Sequence, residues 1–473
     1  MSNSGRVDPR VKVGQKRRPD LDTVYTINQD GSRNFLHPAD VTGRWQTRKN
    51  VIYVLLIFVY AALPWIQVGD RSLIHFDLPG RSAHLFGYSF TNQDFYLVFF
   101  VATGIGFILF VVTSLWGRIW CGYACPQTVF LECVFRRIER WIEGPRLTRI
   151  RRNLGPWTFD KSWRKLLKQM IFLGFSYLIA HIFLAYFLPA RELLEVMRSH
   201  PREHLSAFFW TMFWTGILYF NYTWFREQTC LIVCPYGRLQ STLIDSDTII
   251  IGYDHRRGEP RMKGVEQGGD CIDCFRCVEV CPTGIDIRNG LQMECIGCAN
   301  CIDICDEVMG KIGKPHGLVR YDSQRGFEGK RRQFLRPRVW IYLGLGIVGM
   351  IAAFFIFSGR TAFETKVIRS RGMPFVIEEG RIRNLYTLHV QNKTTDTATY
   401  LIEPVRDVAA VPNSLEFIIP QRIVRLVGLA SVTTPLFAYL PRTEYTGPFD
   451  FHFTVTDSLT AQERRVKVRF RGP

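Results

Sequence analysis

No cysteine precedes Cys121 and none follows Cys305, although the chain has 473 residues and 13 cysteines. That confinement excludes a small secreted disulfide scaffold and favours metal or redox chemistry in a protein large enough to bury a core without staples. Charge is missing from the apolar run VWIYLGLGIVGMIAAFFIFS, which ends at Ser358. Polar residues fill the first fifty positions, and the apolar run after them makes a poor cleavable signal peptide because it starts too late and continues too far. That run therefore reads as an anchor. Nor does the net charge of +18 gather on one amphipathic element. Lys and Arg collect beside apolar runs, which argues against nucleic acid and makes them topology signals.

Apolar residues make up 47% of the chain and aromatics 14%, heavy for a soluble protein. Five runs are long enough for a hydrocarbon core of roughly 30 Å: about 51–68, 95–116, 166–188, 205–225 and 338–358. Residues 1–50 contain ten Lys and Arg and 117–165 contain eleven, against two in 67–94 and three in 189–204. Basic loops stay in the cytoplasm, so the bias places the N-terminus inside and the C-terminus outside. The expected layout is a cytoplasmic tail over 1–50, four spans within 51–225, a cytoplasmic region over 226–337, a fifth helix over 338–358 and an outer domain over 359–473. The first forty or so residues read as a mobile tail. In the outer domain Tyr386, Leu388 and Val390 alternate, as do Phe449, Phe451, Phe453 and Val455, then Val466, Val468 and Phe470. Alternation with turn signals at Pro412-Asn413-Ser414 and Gly447-Pro448 predicts an all-β, immunoglobulin-like sandwich without an inter-sheet disulfide.

The strongest chemical signal is Cys271-x-x-Cys274-x-x-Cys277-x-x-x-Cys281-Pro282, followed by Cys295-x-x-Cys298-x-x-Cys301-x-x-x-Cys305. Three close cysteines wrap one side of a cubane, and in the bacterial two-cluster arrangement the fourth serves the other cluster. Cys271, Cys274, Cys277 and Cys305 would hold one [4Fe-4S] cluster, and Cys295, Cys298, Cys301 and Cys281 the other. Zinc also accepts four thiolates, but two consecutive four-cysteine runs at this spacing favour iron–sulfur. Asp306 stands where the second run would carry a proline, adding negative charge that disfavours reduction nearby. The fold class expected is thus a membrane bundle of about five spans, a ferredoxin-like α+β insert with its core at 265–310, and the β-sandwich.

A second constellation follows alternate spans: Cys121-Gly-Tyr-Ala-Cys125-Pro126 and Cys230-Leu-Ile-Val-Cys234-Pro235. On a helix, positions i and i+4 share a face, so each pair could hold part of a soft-metal site, and both pairs together a four-thiol site for Cu(I), Zn(II) or iron–sulfur. The bland alternative is cysteine as a small hydrophobe, the reading given to the unpaired Cys133. His181, mid-span, is a candidate for haem, metal or quinone contact, set against a neutral histidine bonded to a neighbouring helix. His200, His204 and Met197 read mainly as solvated loop residues.

These motifs, in this order, resemble the cytochrome c oxidase accessory protein family known as CcoG, FixG or RdxA. The resemblance implies a multi-pass protein of the bacterial inner membrane with clusters in the cytoplasm and the β-domain in the periplasm. It further implies a part in the biogenesis of a cbb-type oxidase, reduction of Cu(II) to Cu(I) for delivery, and assembly factors or a copper-exporting ATPase as partners. With the residues it gives a route from an unknown cytoplasmic or quinol donor through the clusters to copper at Cys121, Cys125, Cys230 and Cys234. Two other readings remain: a quinol-linked electron-transfer subunit for another reductase, which the β-domain argues against, and a non-catalytic assembly scaffold.

Overall fold

The computed structural model describes residues 35–68, 71–91, 94–261, 268–359, 361–369, 375–394, 396–405 and 411–473. The expected mobile tail lies, up to residue 34, outside them. The chain divides into two units, Met1–His75 with Val101–Met350, and Phe76–Phe100 with Ile351–Pro473.

Four helices among the described residues are long and apolar enough to cross a membrane: Arg44–Trp65, Tyr96–Trp116, Phe159–Leu184 and Pro337–Ser358. The first begins at Arg44, not at 51, because its basic opening turns are helical too. The run at 205–225 differs from expectation in a specific way. Its α-helix is Leu205–Phe220, 16 residues, and the apolar stretch is completed by a π-helical turn, Asn221–Phe225. At 1.5 Å per residue the α-helical part reaches about 24 Å, short of the hydrocarbon thickness. Phe135, Phe172, Ile179 and Tyr222 form a buried cluster among these helices, with the Phe135 and Tyr222 rings stacked at 4.2 Å.

The segment after the second long helix is a chain of short helices, Ile119–Tyr123, Pro126–Phe130, Arg136–Glu143 and Arg146–Leu154, with a π-helical turn at Leu131–Phe135. The cysteine-rich insert is framed by the antiparallel pair Ile250–Tyr253 and Val319–Asp322 and by the helix Asn300–Lys311. Ile251, Ile285, Ile287, Ile302 and Leu318 are buried within it.

In the second unit the expected alternation is realised. One sheet runs Glu416–Ile418, Ser431–Pro441, Arg381–Asn392, Phe363–Arg369, with Val376–Glu378 on Arg381–Asn392. The other runs Ile423–Leu426, Ala398–Val405, Phe449–Asp457, Glu463–Phe470, and every pair in both is antiparallel. Tyr386, Leu388, Val390, Phe451, Phe453, Val455, Val468 and Phe470 all face the core between the sheets. Aromatic packing fills the place of a disulfide, with Tyr386 edge-on to Phe451 at 5.8 Å and Phe363 against Tyr400 at 5.0 Å.

Candidate redox site

The two four-cysteine runs fold alike. In the first, Asp273 and Phe275 have φ of 52° and 59°; in the second, the equivalent Gly297 and Ala299 have 68° and 63°. Left-handed backbone at two alternating positions curls each C-x-x-C-x-x-C into a tight arc, and its cost at three non-glycine residues is the kind tolerated at functional sites. A helix follows each arc, Arg276–Glu279 and Asn300–Lys311.

Cys281 crosses from the first run to line one cavity with Cys295, Cys298 and Cys301; Cys277 and the side chains of Ile251, Ile285 and Ile287 complete its wall. In the reciprocal sense, the thiols that bear electrostatically on Cys305 are Cys274 and Cys271. Burial raises the Cys295 and Cys305 thiols to about 12, so iron has to drive their ionisation. Among the described residues no three His, Cys, Asp or Glu side chains converge as ligands of one ion would. Thiols spread round one cavity suit a multi-atom cubane better than a single zinc, and the donor set fits [4Fe-4S] clusters.

The membrane-side cysteines correct the regular-helix expectation. Cys121 lies in Ile119–Tyr123, but Cys125 is extended and caps Pro126–Phe130. Cys230 lies in the π-helical turn Thr229–Val233, and Cys234 is extended and caps Pro235–Leu243. Each proline occupies the first helical position, where its missing N–H costs nothing. The repeat is therefore real, but each pair straddles a cap. Cys230 lies within electrostatic reach of Cys125, Cys121 and Cys234, although no three of these thiols converge as ligands of one ion would. Burial, then these neighbours, pushes Cys230 up to about 12, and burial with Cys125 pushes Cys121 to about 11. Cys121 Sγ donates to Gln240 Oε1 at 3.5 Å. Asn221 Nδ2 donates to Gln127 Oε1 at 2.7 Å, tying the two repeats.

No spacer separates the two constellations. A Cβ on Gly122, next to Cys121, would lie 2.7 Å from Ile296 O and 3.0 Å from Cys298 Cα. Tyr53 Oη donates to Gly122 O at 2.5 Å, and Tyr321 Oη to Gly297 O at 2.8 Å. Lys49 Nζ donates to Cys298 O at 3.3 Å and also to Asn300 Oδ1. From the other side Arg136 donates to Pro282 O at 3.0 Å. Lys49, Gly122 and Arg136 escaped sequence reasoning, because each acts across more than sixty residues of chain.

His181 takes its hydrogen bond from its own helix, its Nδ1 donating to Tyr177 O at 2.9 Å, and not from a neighbouring one. His200 Nδ1 accepts from Arg202 N at 3.3 Å on an exposed turn. Cys133 sits in the π-helical turn and is not grouped with the other thiols.

Family profiles match three stretches: a 4Fe-4S binding domain at 97–145, a 4Fe-4S dicluster domain at 225–324, and the Ig-like fold at the C-terminus of FixG at 353–473. The chain is 38% identical to protein RdxA of Cereibacter sphaeroides over 76% of its length and 80% of the relative's. The chain belongs to the FixG/RdxA family. Similarity within the family extends to the nitrogen fixation protein FixG of Rhizobium meliloti, 32% identical over 81% of this chain and 82% of that one. A solved structure of a FixG-related protein from Vibrio parahaemolyticus matches 24% of this chain and 97% of its own, with 20% identity and a TM-score of 0.21. This FixG/RdxA-family member is a membrane iron–sulfur electron-transfer protein with two [4Fe-4S] clusters.

Proposed function

We propose that this protein reduces Cu(II) to Cu(I) at Cys121, Cys125, Cys230 and Cys234 and thereby supports assembly of a cbb-type cytochrome c oxidase. One cluster belongs to Cys271, Cys274, Cys277 and Cys305, the other to Cys281, Cys295, Cys298 and Cys301. When bound, such clusters take up and release single electrons, the stoichiometry that Cu(II) reduction requires. The observation that carries the reading is the contact of Gly122 with Ile296–Cys298, which leaves no chain between the Cys298 wrap and the Cys121 helix. The four thiols then bind the product better than the substrate, since soft thiolate prefers Cu(I). Lys and Arg bias favours cluster and thiol sites in the cytoplasm and the β-domain in the periplasm.

The test uses anaerobically purified protein, photoreduced and mixed with Cu(II) in the presence of a Cu(I) chelator. Cys230→Ala/Cys234→Ala should yield Cu(I) roughly tenfold more slowly or worse, the scale on which metal sites respond to lost support. Equal rates would sink the site assignment.

A second reading has a specific observation behind it. The profile for a 4Fe-4S binding domain covers Cys121 and Cys125, and the dicluster profile begins before Cys230. The four thiols would then hold iron–sulfur. Iron analysis separates the two: about eight irons per chain for copper chemistry, about twelve for a third cluster.

A further inference from the structure

A cavity of about 540 Å³ opens between residues 35–38, the helices Arg136–Glu143 and Arg146–Leu154, and the polar end of Phe159–Leu184. That size suits a small-molecule ring. Lys165, Lys168, Gln169 and Phe172 line it from successive turns of one face of a candidate membrane span. Phe35, Leu154 and Phe172 give it an apolar side, and exposed Phe35 and Leu154 stand at its mouth.

Its polar side holds two groups with capacity to spare. His37 Nδ1 is buried and has no hydrogen-bond partner. Asn153 Nδ2 meets the other ring nitrogen at 3.1 Å, which assigns the proton to Nδ1 and makes it a donor in search of an acceptor. Burial lowers His37 to about 4, so the ring is neutral at physiological pH. Glu143 Oε1 stands 2.7 Å from Lys168 Nζ but makes no aligned hydrogen bond. Glu139 is different: burial raises its carboxyl, but Arg226, Lys168 and Arg149 outweigh burial and hold it well below the usual carboxylate range. It is a fixed anion. From Glu139 a chain of contacts runs to Arg226 at 2.9 Å, through the adjoining Glu227 to Arg136 at 3.3 Å, and on to Pro282 O beside Cys281.

We propose that this cavity binds a membrane hydroquinone as the electron donor, with His37 Nδ1–H donating to one ring oxygen and Glu143 acting as proton acceptor. The idea rests on the reading that electrons leave the clusters for the thiol site. Oxidation breaks the two O–H bonds of the hydroquinone and yields the quinone. Two electrons depart, one for each [4Fe-4S] cluster, and two protons pass in turn to the Glu143 carboxylate and out through the cavity mouth. The isoprenoid tail stays in the apolar phase beside the span. A free or lipid-borne anionic headgroup is the competing occupant, since Lys165 also lines the space and the headgroup's oxygens would accept from His37 too, but it would leave the Phe35 and Phe172 rings unused.

The purified full chain, in lipid nanodiscs, is labelled with a photoactivatable azidoquinone, and reduction of the clusters by a short-chain hydroquinone is followed by EPR. Label is expected on residues 35–37 or 154–172. His37→Phe should raise the azidoquinone Kd about tenfold, the worth of a hydrogen bond. Glu143→Gln should slow cluster reduction on the order of 10²-fold, and Leu154→Trp should block labelling, while dithionite still reduces the clusters in every variant. The proposal is overturned if hydroquinone leaves dithionite-reducible wild-type clusters oxidised, if the label falls elsewhere, or if phosphatidylglycerol rather than quinone displaces it. Dithionite-reduced protein that still yields Cu(I) while hydroquinone does nothing would retire the cavity and keep the copper site. Hydroquinone-reduced clusters that fail to reduce Cu(II) would do the reverse.

Discussion

Lys49 is 2% exposed, and both of its hydrogen bonds go to neutral acceptors, Cys298 O and Asn300 Oδ1. Among the described residues no carboxylate pairs with this buried ammonium, and leaving it so is costly, which makes the negative charge of four thiolates round a cluster its natural complement. Lys49→Met should lower the potential of the cluster at Cys281, Cys295, Cys298 and Cys301 by on the order of 50 to 100 mV, taking a unit charge several ångströms away at an effective dielectric near 20. Potentiometric EPR checks it, and an unmoved midpoint would remove Lys49 from the tuning of that cluster. Glu139 makes the converse case, one carboxylate ringed by Arg149, Arg226 and Lys168. Glu139→Gln strands those cations and should cost about 3 to 5 kcal/mol. Because the folded carboxyl titrates well below its unfolded value, its stabilisation is complete above the unfolded pKa of about 4 and fades as pH falls from there toward the folded pKa. The gap between wild type and variant in thermal unfolding should therefore narrow on acidification. None of these charges announced itself in sequence, where Lys49 and Glu139 are ordinary residues of basic, amphipathic stretches, whereas the eight ferredoxin cysteines did so through spacing alone.

Between elements, the Gly122 contact is the narrowest joint in the proposed route. Any side chain there meets backbone, Ile296 O at 2.7 Å and Gly297 O at 2.9 Å, so the helix Ile119–Tyr123 would have to retreat. Gly122→Leu should retain the full iron content yet deliver electrons to Cu(II) up to about 10²-fold more slowly, the penalty seen when reacting partners are displaced by about 1 Å. Stopped-flow oxidation of prereduced protein by Cu(II) measures this; loss of iron in parallel would make the glycine merely structural. Period-2 alternation made the sandwich legible, since Tyr386, Leu388 and Val390 all turn inward. The cysteine pairs were only half legible. Their identical spacing was a true repeat, but the helical rule for i and i+4 failed because Cys125 and Cys234 are extended caps before proline. The π-helical turns at Leu131–Phe135, Asn221–Phe225 and Thr229–Val233 were invisible for a related reason: an apolar run looks the same whether its hydrogen bonds close at i+4 or i+5.

For the whole molecule the decisive quantity is parity. Among the described residues four helices qualify as spans by length and composition, and Leu205–Phe220 does not by its α-helical length alone. If that run crosses with its π-helical extension, five spans put the two ends of the chain on opposite faces; if it does not, four put them on the same face. The basic loops speak for five, because with four the sixteen Lys and Arg of residues 226–337 would lie outside together with the basic-poor 189–204. Ser431→Cys, on an exposed strand position, should thus react with a membrane-impermeant maleimide in intact spheroplasts, and Arg151→Cys, exposed beside the redox unit, only after lysis. Labelling of both in intact spheroplasts, or of neither, would mean an even number of crossings. If the even number arose because 205–225 stays on one face, the clusters would lie across the membrane from Cys121 and Cys125 and the contact of Gly122 with Ile296–Cys298 could not form, so the redox site itself requires the odd number.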